Sequence, residues 1–250
     1  MRHSRVDWAE SPGAAFARWL LPSECLTCQD TIADPAQPLI CGVCAARWAG
    51  LPEPACARCQ HPRLLDLDCR LCAEWPPEFI AARSAVRLDE RVREVAHAFK
   101  YGGWRRLAPL MARRMAPHLD LLGPGDLVPI PTSRRRRWRR GYNQAEVLAA
   151  ALAELTGRRV RSSVLTRRSG DSSQVGRTPQ ERLANLGGAF RGERVMGPVI
   201  LVDDVFTTGA TLVSAATALR TAGVERIAAV TFARAEPPLG AATRRRDTTP

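Results

Sequence analysis

Long hydrophobic runs are absent from this sequence of 250 residues. A membrane-spanning helix needs about 20 consecutive apolar residues, and no segment approaches that length, so we expect no membrane span. The N-terminal segment MRHSRVDWAESPGAAFARWLLPSEC carries scattered charges and no apolar core, so we also expect no signal peptide.

Lysine is nearly absent, because Lys100 is the only one, and arginine supplies almost all of the positive charge. That charge is unevenly distributed: residues 1–80 carry a net charge of −3, whereas residues 81–250 carry +15. A basic second part favours polyanions or phosphorylated small molecules as ligands. The alternative interpretation is that some of these arginines only solvate the surface.

Cysteine is absent from the 178 residues after Cys72, and all eight cysteines lie between Cys25 and Cys72. They form CxxC pairs, and two such pairs complete a tetrahedral zinc site of four thiolates. A disulfide framework is disfavoured without an export signal, and redox catalysis needs only one dithiol. The sequence therefore predicts one or two structural zinc ions held by Cys25, Cys28, Cys41, Cys44, Cys56, Cys59, Cys69 and Cys72.

The domain organisation follows from these cysteines. Sequential and interleaved pairings of the four CxxC motifs both remain open. In either case, metal replaces a core that so short a segment can hardly build. We predict a double zinc-ribbon module over residues 20–78, a Pro-rich boundary at EWPPEF, a second domain over 81–235 and a disordered tail over 236–250.

The second domain alternates between patterns typical of helices and of strands. Apolar runs in DLVPIP, PVILV and RIAAVTFAR indicate buried strands, with weaker strand signals near Val164–Leu165 and Ala189–Phe190. Four helical segments accompany these strands, two before DLVPIP and two after it, and one of the latter has Asn143 as its expected N-cap. This alternation predicts an α/β fold with a mostly parallel sheet and helices on both faces. Ligands of such sheets bind beyond the carboxyl ends of the strands.

One strand, in VILVDDVFTTGATL, leads into paired carboxylates and a loop of small residues. A loop that opens a helix presents backbone N–H groups to a phosphate, and small residues let the backbone approach closely. Carboxylates suit hydroxyl donors such as those of a ribose. The stretch therefore indicates a cradle for a ribose 5-phosphate, with Asp203 and Asp204 for the diol and Thr207, Thr208, Gly209, Ala210 and Thr211 for the phosphate.

Residues Val199–Thr211 closely resemble the phosphoribosyl-pyrophosphate (PRPP) motif of type I phosphoribosyltransferases. More of the chain resembles the ComF family (ComF/GntX-like) of competence proteins. The resemblance covers the four CxxC pairs and the blocks FKYGGWRRLAPLMA, PIPTSRRRRWRRGYNQAEVLA, QVGRTPQERLANLGGAF and ILVDDVFTTGATL. It implies a cytoplasmic protein of DNA uptake that handles single-stranded DNA, alongside a helicase-like partner.

The resemblance also implies roles for two further segments. The loop after the first core strand binds pyrophosphate in type I transferases. In this chain the loop holds arginines around a tryptophan. The guanidinium groups suit phosphate oxygens, and the tryptophan ring can stack on a base. These candidates are Arg134, Arg135, Arg136, Arg137, Trp138, Arg139 and Arg140. A mobile hood that closes over PRPP corresponds to RRSGDSSQVGRTPQER, with Gln174, Arg177, Arg182 and Asn185. Both segments have a plainer interpretation as ordinary surface loops.

Two functions remain open. The chain is either a DNA-uptake factor that binds single-stranded DNA and PRPP, or a phosphoribosyltransferase that serves a small nucleobase-like acceptor, with Mg²⁺ bridging pyrophosphate and ribose oxygens. In 6-oxopurine transferases the motif usually carries an acid where this chain has Thr207. This departure argues against hypoxanthine- or guanine-type salvage and favours the first function.

Overall fold

The computed structural model describes residues 24–32, 39–62, 69–168 and 188–235. The chain divides into two compact units, Met1–Trp48 and Ala49–Pro250. This division falls between the first four and the last four cysteines, so the latter belong to the same compact unit as the α/β sheet. The module boundaries at 20–78 and 81–235 stay predictions, and the tail over 236–250 lies outside the described residues. Within the part of the chain that is described, no helix has the length and apolar character needed to cross a bilayer.

The first unit is a small turn-rich element. An isolated antiparallel bridge joins Glu24 to Thr31, and helix α1 covers Gly42–Ala46. Cys41 caps this helix, because its sulfur accepts a hydrogen bond from the Cys44 N–H at 3.4 Å. The chain reversals at both CxxC pairs therefore bring cysteine side chains to one place.

The second unit is built on a parallel sheet, which confirms the predicted fold class. Its strands are β1 (Phe79–Arg87), β2 (Asp126–Pro129), β5 (Val199–Phe206) and β6 (Ile227–Arg234), in the order β1-β6-β5-β2 with parallel pairing throughout. All eight residues of β6 are buried, as its apolar run predicts for a central strand. Strand β1 was not predicted, because Arg83 and Ser84 interrupt its apolar pattern.

Helices cover both faces of this sheet. The helices are α2 (Glu90–Tyr101), α3 (Ala108–Leu122) after a 3-10 turn at Arg105–Leu107, α4 (Arg134–Arg140), α5 (Gln144–Thr156) and α6 (Ala210–Thr221). Val199 and Leu201 of β5 pack in one cluster with α6. The alternate residues Ile200 and Val202 are also buried and point to the opposite face, where α3 and α5 pack on the sheet.

The two weaker strand signals are also confirmed. Strands β3 (Leu165–Arg167) and β4 (Phe190–Gly192) pair with each other in antiparallel fashion, apart from the main sheet. The chain between them includes the predicted hood, and Gln174, Arg177, Arg182 and Asn185 all lie outside the described residues.

The arginine-rich segment, which we predicted to be a loop, forms the short helix α4 instead. Arginine has a good helix propensity, so a run of arginines forms a helix when suitable residues flank it. Ser133 caps the start by accepting from the Arg136 N–H at 3.3 Å, and Gly141 ends the helix in the left-handed conformation at φ +76°.

Asn143 joins the end of β2 to the start of α5. Its Oδ1 accepts from the Ala145 N–H at 3.2 Å, as expected of the N-cap, and its Nδ2 donates to the carbonyl of Ile130 at 3.1 Å. Asn143 is 3% exposed, so water cannot replace these partners. Glu146, in the first turn of α5, forms an ion pair with Arg137 at 3.2 Å.

We predict that Asn143→Ala lowers the free energy of unfolding of the second unit by roughly 2–3 kcal/mol, since it removes a cap and leaves the Ile130 carbonyl without its partner. Asp89 caps α2 by accepting from the Val92 N–H at 2.9 Å and provides the control. Asp89→Ala should cost only about 1 kcal/mol. Urea unfolding followed by tryptophan fluorescence measures both. Equal losses would show that the bond to Ile130 contributes nothing.

Candidate functional site

The first cysteine cluster comprises Cys25, Cys28, Cys41 and Cys44. Their sulfur atoms all lie within 4.8 Å of one another, and the sulfurs of Cys28 and Cys41 are 3.8 Å apart. Tetrahedral zinc with Zn–S bonds of about 2.3 Å requires sulfur–sulfur distances of about 3.8 Å. All eight cysteines are free thiols, and the spacing is far longer than the roughly 2.05 Å of a disulfide. The donor set therefore fits a zinc ion.

The second cluster has the same geometry and comprises Cys56, Cys59, Cys69 and Cys72. Its sulfurs are 3.7 Å apart for Cys56 and Cys72 and 3.6 Å apart for Cys59 and Cys69. The structure therefore groups the CxxC pairs sequentially. Burial raises the pKa of the Cys72 thiol to about 11, so this thiol needs a cation beside it to ionise. A bound zinc ion would supply that charge.

Arginines surround the second cluster and bind its backbone carbonyls. Arg58 donates to the carbonyls of Cys72 at 3.0 Å and Pro76 at 2.8 Å. Arg234, only 2% exposed, donates to the carbonyl of Cys59 at 2.5 Å. Burial lowers the pKa of Arg234, and the charges of the neighbouring cysteines oppose this shift. Two arginine side chains therefore lie directly against this cluster.

The acid pair lies inside β5. We predicted that the strand ends before Asp203, but it continues to Phe206, and Asp203 is in register with Thr231 of β6. Asp203 Oδ1 accepts from the Asp204 N–H at 2.9 Å. Burial, reinforced by the negative charge of Asp204, raises the pKa of Asp203 to about 7. The pair still occupies the carboxyl end of the sheet, where ligands of parallel sheets bind.

Asp204 is buried, and its charge is balanced by Lys100 at the end of α2. The Lys100 Nζ lies 3.0 Å from Asp204 Oδ2. Lys100 was not among the site residues predicted from the sequence. The available signals were its match to the FKYGG block and its standing as the only lysine. Neither signal reveals that the two residues meet, because they are far apart in the chain.

The loop after β5 has the form expected of a phosphate cradle. Thr207, Thr208 and Thr211 are exposed, and Gly209 adopts φ +79° just before α6. A Cβ on Gly209 would lie 2.8 Å from Cζ of Phe206, so no larger residue fits. Gly209, the N-cap of α6, has no side chain to occupy the first N–H groups of the helix, and Thr208 Oγ1 accepts from the Ala210 N–H at 3.4 Å. The helix therefore presents its N-terminal dipole at the sheet edge that carries the acids.

Helix α4 lies against the residues that flank Lys100. Arg140 donates to the Tyr101 hydroxyl and to Gln144 Oε1, at 2.9 Å in each case, and Gln144 Nε2 donates to the Lys100 carbonyl at 3.4 Å. The hydrogen bond from Arg140 lowers the pKa of Tyr101. The arginine helix is thereby connected to the acid pair through α2.

The other side chains of α4 face solvent. Arg134–Arg137 and Arg139 are all exposed, although Arg137 pairs with Glu146. Trp138 is 86% exposed, which is rare for so large an apolar side chain and leaves it free to stack on a ligand. Tyr101, on the neighbouring helix, is 58% exposed. The surface thus combines guanidinium groups with aromatic rings.

Comparison with known proteins identifies the class. Residues 139–246 match the family model described as the phosphoribosyl transferase domain. The sheet, the acid pair and the loop before α6 all belong to the unit that contains this match. The chain is therefore a protein with a phosphoribosyltransferase domain.

Its relatives narrow the assignment. The chain is 31% identical to the DNA utilization protein YhgH of Salmonella typhimurium, over 69% of this chain and 80% of that protein. It is 37% identical to competence protein F of Haemophilus influenzae, over 52% and 59% of the two chains. It is 26% identical to the competence protein ComFC of Bacillus subtilis, over 72% and 77%. The chain also has two four-cysteine clusters, the first in the small unit and the second in the unit that contains the phosphoribosyltransferase domain. The chain therefore belongs to the ComF family.

We predict that each cluster binds one zinc ion, so that anaerobically purified protein contains about two zinc ions per chain. Replacement of a ligand in the separate first unit, as in Cys41→Ser, should reduce the content to about one, because three thiolates hold zinc more weakly. Elemental analysis measures the content, and circular dichroism checks that the second unit remains folded. Intramolecular disulfides and no metal in the native protein would refute this assignment.

Proposed function

We propose that this ComF-family chain acts in DNA uptake or natural transformation and binds both PRPP and single-stranded DNA through its phosphoribosyltransferase domain. The observation that carries the proposal is the hydrogen-bonded and ion-paired connection from Asp204 through Lys100 and Gln144 to Arg140. This connection links the proposed ribose-phosphate cradle to the helix of arginines. The names of the relatives support a role in DNA uptake, and the side chains of the site support PRPP and single-stranded DNA as ligands.

The PRPP part rests on complementary chemistry. The carboxylates of Asp203 and Asp204 accept from the 2′ and 3′ hydroxyls of a ribose, and the N-terminus of α6, with the exposed threonines, binds the 5-phosphate. The arginines of α4 bind the pyrophosphate as guanidinium forks. Mg²⁺ would bind together with PRPP and offset part of the pyrophosphate charge. Gln174, Arg177, Arg182 and Asn185, which lie outside the described residues, would contribute to the same site, as the family resemblance implies.

The DNA part rests on the exposed surface of α4. A single strand offers one phosphate per nucleotide to the arginines and one base face per nucleotide to Trp138 and Tyr101. The +15 net charge of residues 81–250 would attract such a strand at long range. A helicase-like partner in the cytoplasm would supply or receive the strand, as the family resemblance implies.

The second candidate function is transfer of the ribose 5-phosphate to a nucleobase-like acceptor. The acid pair and the glycine loop favour it, since both are arranged as a transferase needs. Thr207 disfavours a 6-oxopurine acceptor, because it cannot exchange the base proton as an acid can. Pyrophosphate release from PRPP, measured across a panel of bases, distinguishes transfer from binding alone.

We predict that Asp203→Asn and Asp204→Asn each weaken PRPP binding by roughly tenfold to a hundredfold, the equivalent of one lost hydrogen bond to a charged group. Oligonucleotide affinity should stay nearly unchanged, because DNA lacks the 2′ hydroxyl. Isothermal titration calorimetry with PRPP and Mg²⁺ measures the first quantity, and fluorescence anisotropy of a labelled oligonucleotide measures the second.

Asp120→Asn is the matched control, because it removes the same charge from an exposed position on α3. It should change neither affinity. Thermal melting of the Asp204 variant checks that Lys100, deprived of its partner, does not unfold the domain. PRPP affinities equal to that of the native protein in both acid variants would refute the phosphoribosyl interpretation.

We predict that α4 is a main contact for single-stranded DNA. Removing one arginine that contacts a phosphate should lower the slope of log affinity against log salt by roughly 0.7. Trp138→Ala should instead cost roughly 1–3 kcal/mol of binding free energy with little change in slope, since stacking does not release counterions. Anisotropy titrations at several salt concentrations separate the two effects.

The matched control replaces three exposed arginines on other helices, Arg91, Arg93 and Arg113, by glutamine. It preserves the net charge of the triple variant Arg135→Gln/Arg136→Gln/Arg139→Gln. Only the α4 variant should lose most of the affinity and the salt dependence. Similar losses in both triple variants would mean that binding follows net charge, and that α4 is not a specific contact.

A further inference from the structure

The second cysteine cluster is built into the edge of the sheet. Strand β1 is an edge strand, and the turn of Cys56–Cys59 covers its free side. The Ala82 N–H donates to the Arg58 carbonyl at 2.8 Å, and the Ser84 N–H donates to Gln60 Oε1 at 2.6 Å. These bonds satisfy donors that an edge strand otherwise exposes. The metal centre and the sheet thus share backbone hydrogen bonds.

From this cluster, a short line of contacts reaches the phosphate loop. The Arg234 guanidinium donates to the Cys59 carbonyl and lies over the ring of Phe206, 4.1 Å from its centroid. The distal edge of that ring fills the space where Gly209 lacks a side chain, with Cζ 2.8 Å from the position of a Cβ. Arg234 and Phe206 also face each other in the register of β5 and β6. Two side chains therefore separate a cysteine of the cluster from the glycine that starts α6.

Trp75 provides a second line of contacts. The backbone N–H of Trp75 donates to the carbonyl of Cys72 at 3.2 Å, which holds the main chain of Trp75 next to the cluster. It stacks on Phe79 at a centroid distance of 4.4 Å and meets Phe206 at 6.3 Å. Phe206 is 1% exposed, and the close packing of these rings leaves it little freedom to move.

The backbone of the second cluster helps to explain why Arg234 can be buried. A buried guanidinium is costly unless hydrogen bonds or an opposite charge accompany it. The Cys59 carbonyl accepts a hydrogen bond from Arg234, and four thiolates around Zn²⁺ would add a negative charge nearby. Loss of the four-ligand arrangement would displace the Cys59 carbonyl and, with it, the guanidinium that lies over Phe206.

We propose that zinc in the second cluster positions the phosphate loop, with Arg234 and Phe206 as the positioning residues between them. The first cluster lies in the other compact unit and has no such role. The proposal rests on the proposed function only in that the loop binds the phosphate of PRPP. It assigns the two zinc ions different roles: one stabilises its own small unit, and the other controls the geometry of the ligand site.

The test compares Arg234→Gln, Phe206→Leu and Cys72→Ser with the control Cys44→Ser, which removes a ligand from the first cluster. Elemental analysis gives the zinc content of each protein. Hydrogen exchange of the amides over residues 207–212 reports on the order of the loop without any ligand. Calorimetry gives the affinity for PRPP with Mg²⁺.

We expect Arg234→Gln and Phe206→Leu to retain both zinc ions, yet to exchange the loop amides at least about fivefold faster and to bind PRPP at least about fivefold more weakly. Cys72→Ser should show the same changes with one zinc ion fewer. Cys44→Ser should also lose one zinc ion but keep native loop exchange and affinity. Should Cys72→Ser fail to fold, the two zinc-retaining variants decide alone.

Native loop exchange in folded Arg234→Gln and Phe206→Leu would overturn the proposal, as would an equal effect of Cys44→Ser. Failure of the proposed function has a different signature, because the native protein would then not bind PRPP at all. In that case, the hydrogen exchange still determines whether the cluster orders the loop.

Discussion

The ion pair between Lys100 and Asp204 is the interaction on which the arrangement of the site depends. Asp204 is buried, and a buried carboxylate is tolerable only with a cation or hydrogen bonds beside it. Lys100 supplies the cation from the last turn of α2. Its carbonyl accepts a hydrogen bond from Gln144, and the hydroxyl of the next residue, Tyr101, accepts one from Arg140. A single charge pair therefore relates the acid-bearing strand to the arginine helix, and the only lysine of the chain serves this contact.

The two cysteine clusters have the same ligands and the same sulfur spacing, but their surroundings differ. The first closes a small unit whose described part contains one short helix and little apolar core, so metal must supply most of its stability. The second shares the core of the sheet, where Cys56, Cys59, Cys72 and Trp75 pack in one cluster with Phe206 and side chains of α6. Similar CxxC motifs thus occur once in a small unit with little apolar core and once in the unit that contains the parallel sheet.

Much of this could be predicted from sequence, because the signals are local. Apolar runs identified the central strands β5 and β6, Asn143 identified the start of α5, and the CxxC spacing identified the eight cysteines that form the two clusters. The features that escaped depend on contacts between distant parts of the chain. Strand β1 contains Arg83 and Ser84 and becomes a strand because β6 and the cysteine turn pair with it. Lys100 and Arg234 resemble ordinary surface charges until the fold brings them to Asp204 and Cys59. The arginine run was predicted to be a loop because type I transferases, which the chain resembles, have a pyrophosphate loop at this position. Its helix propensity, with Ser133 and Gly141 at its ends, favours the helix that forms.

We propose that one surface, at the carboxyl edge of the sheet, binds both a phosphoribosyl compound and single-stranded DNA. The most direct measurement is the anisotropy of a labelled oligonucleotide titrated with the zinc-loaded protein, with and without saturating PRPP and Mg²⁺. Because pyrophosphate and the DNA backbone would share the arginines of α4, PRPP should weaken the apparent affinity for the oligonucleotide, and unlabelled oligonucleotide should displace labelled PRPP. Full oligonucleotide affinity in the presence of bound PRPP would contradict the account, since the two ligands would then occupy separate surfaces.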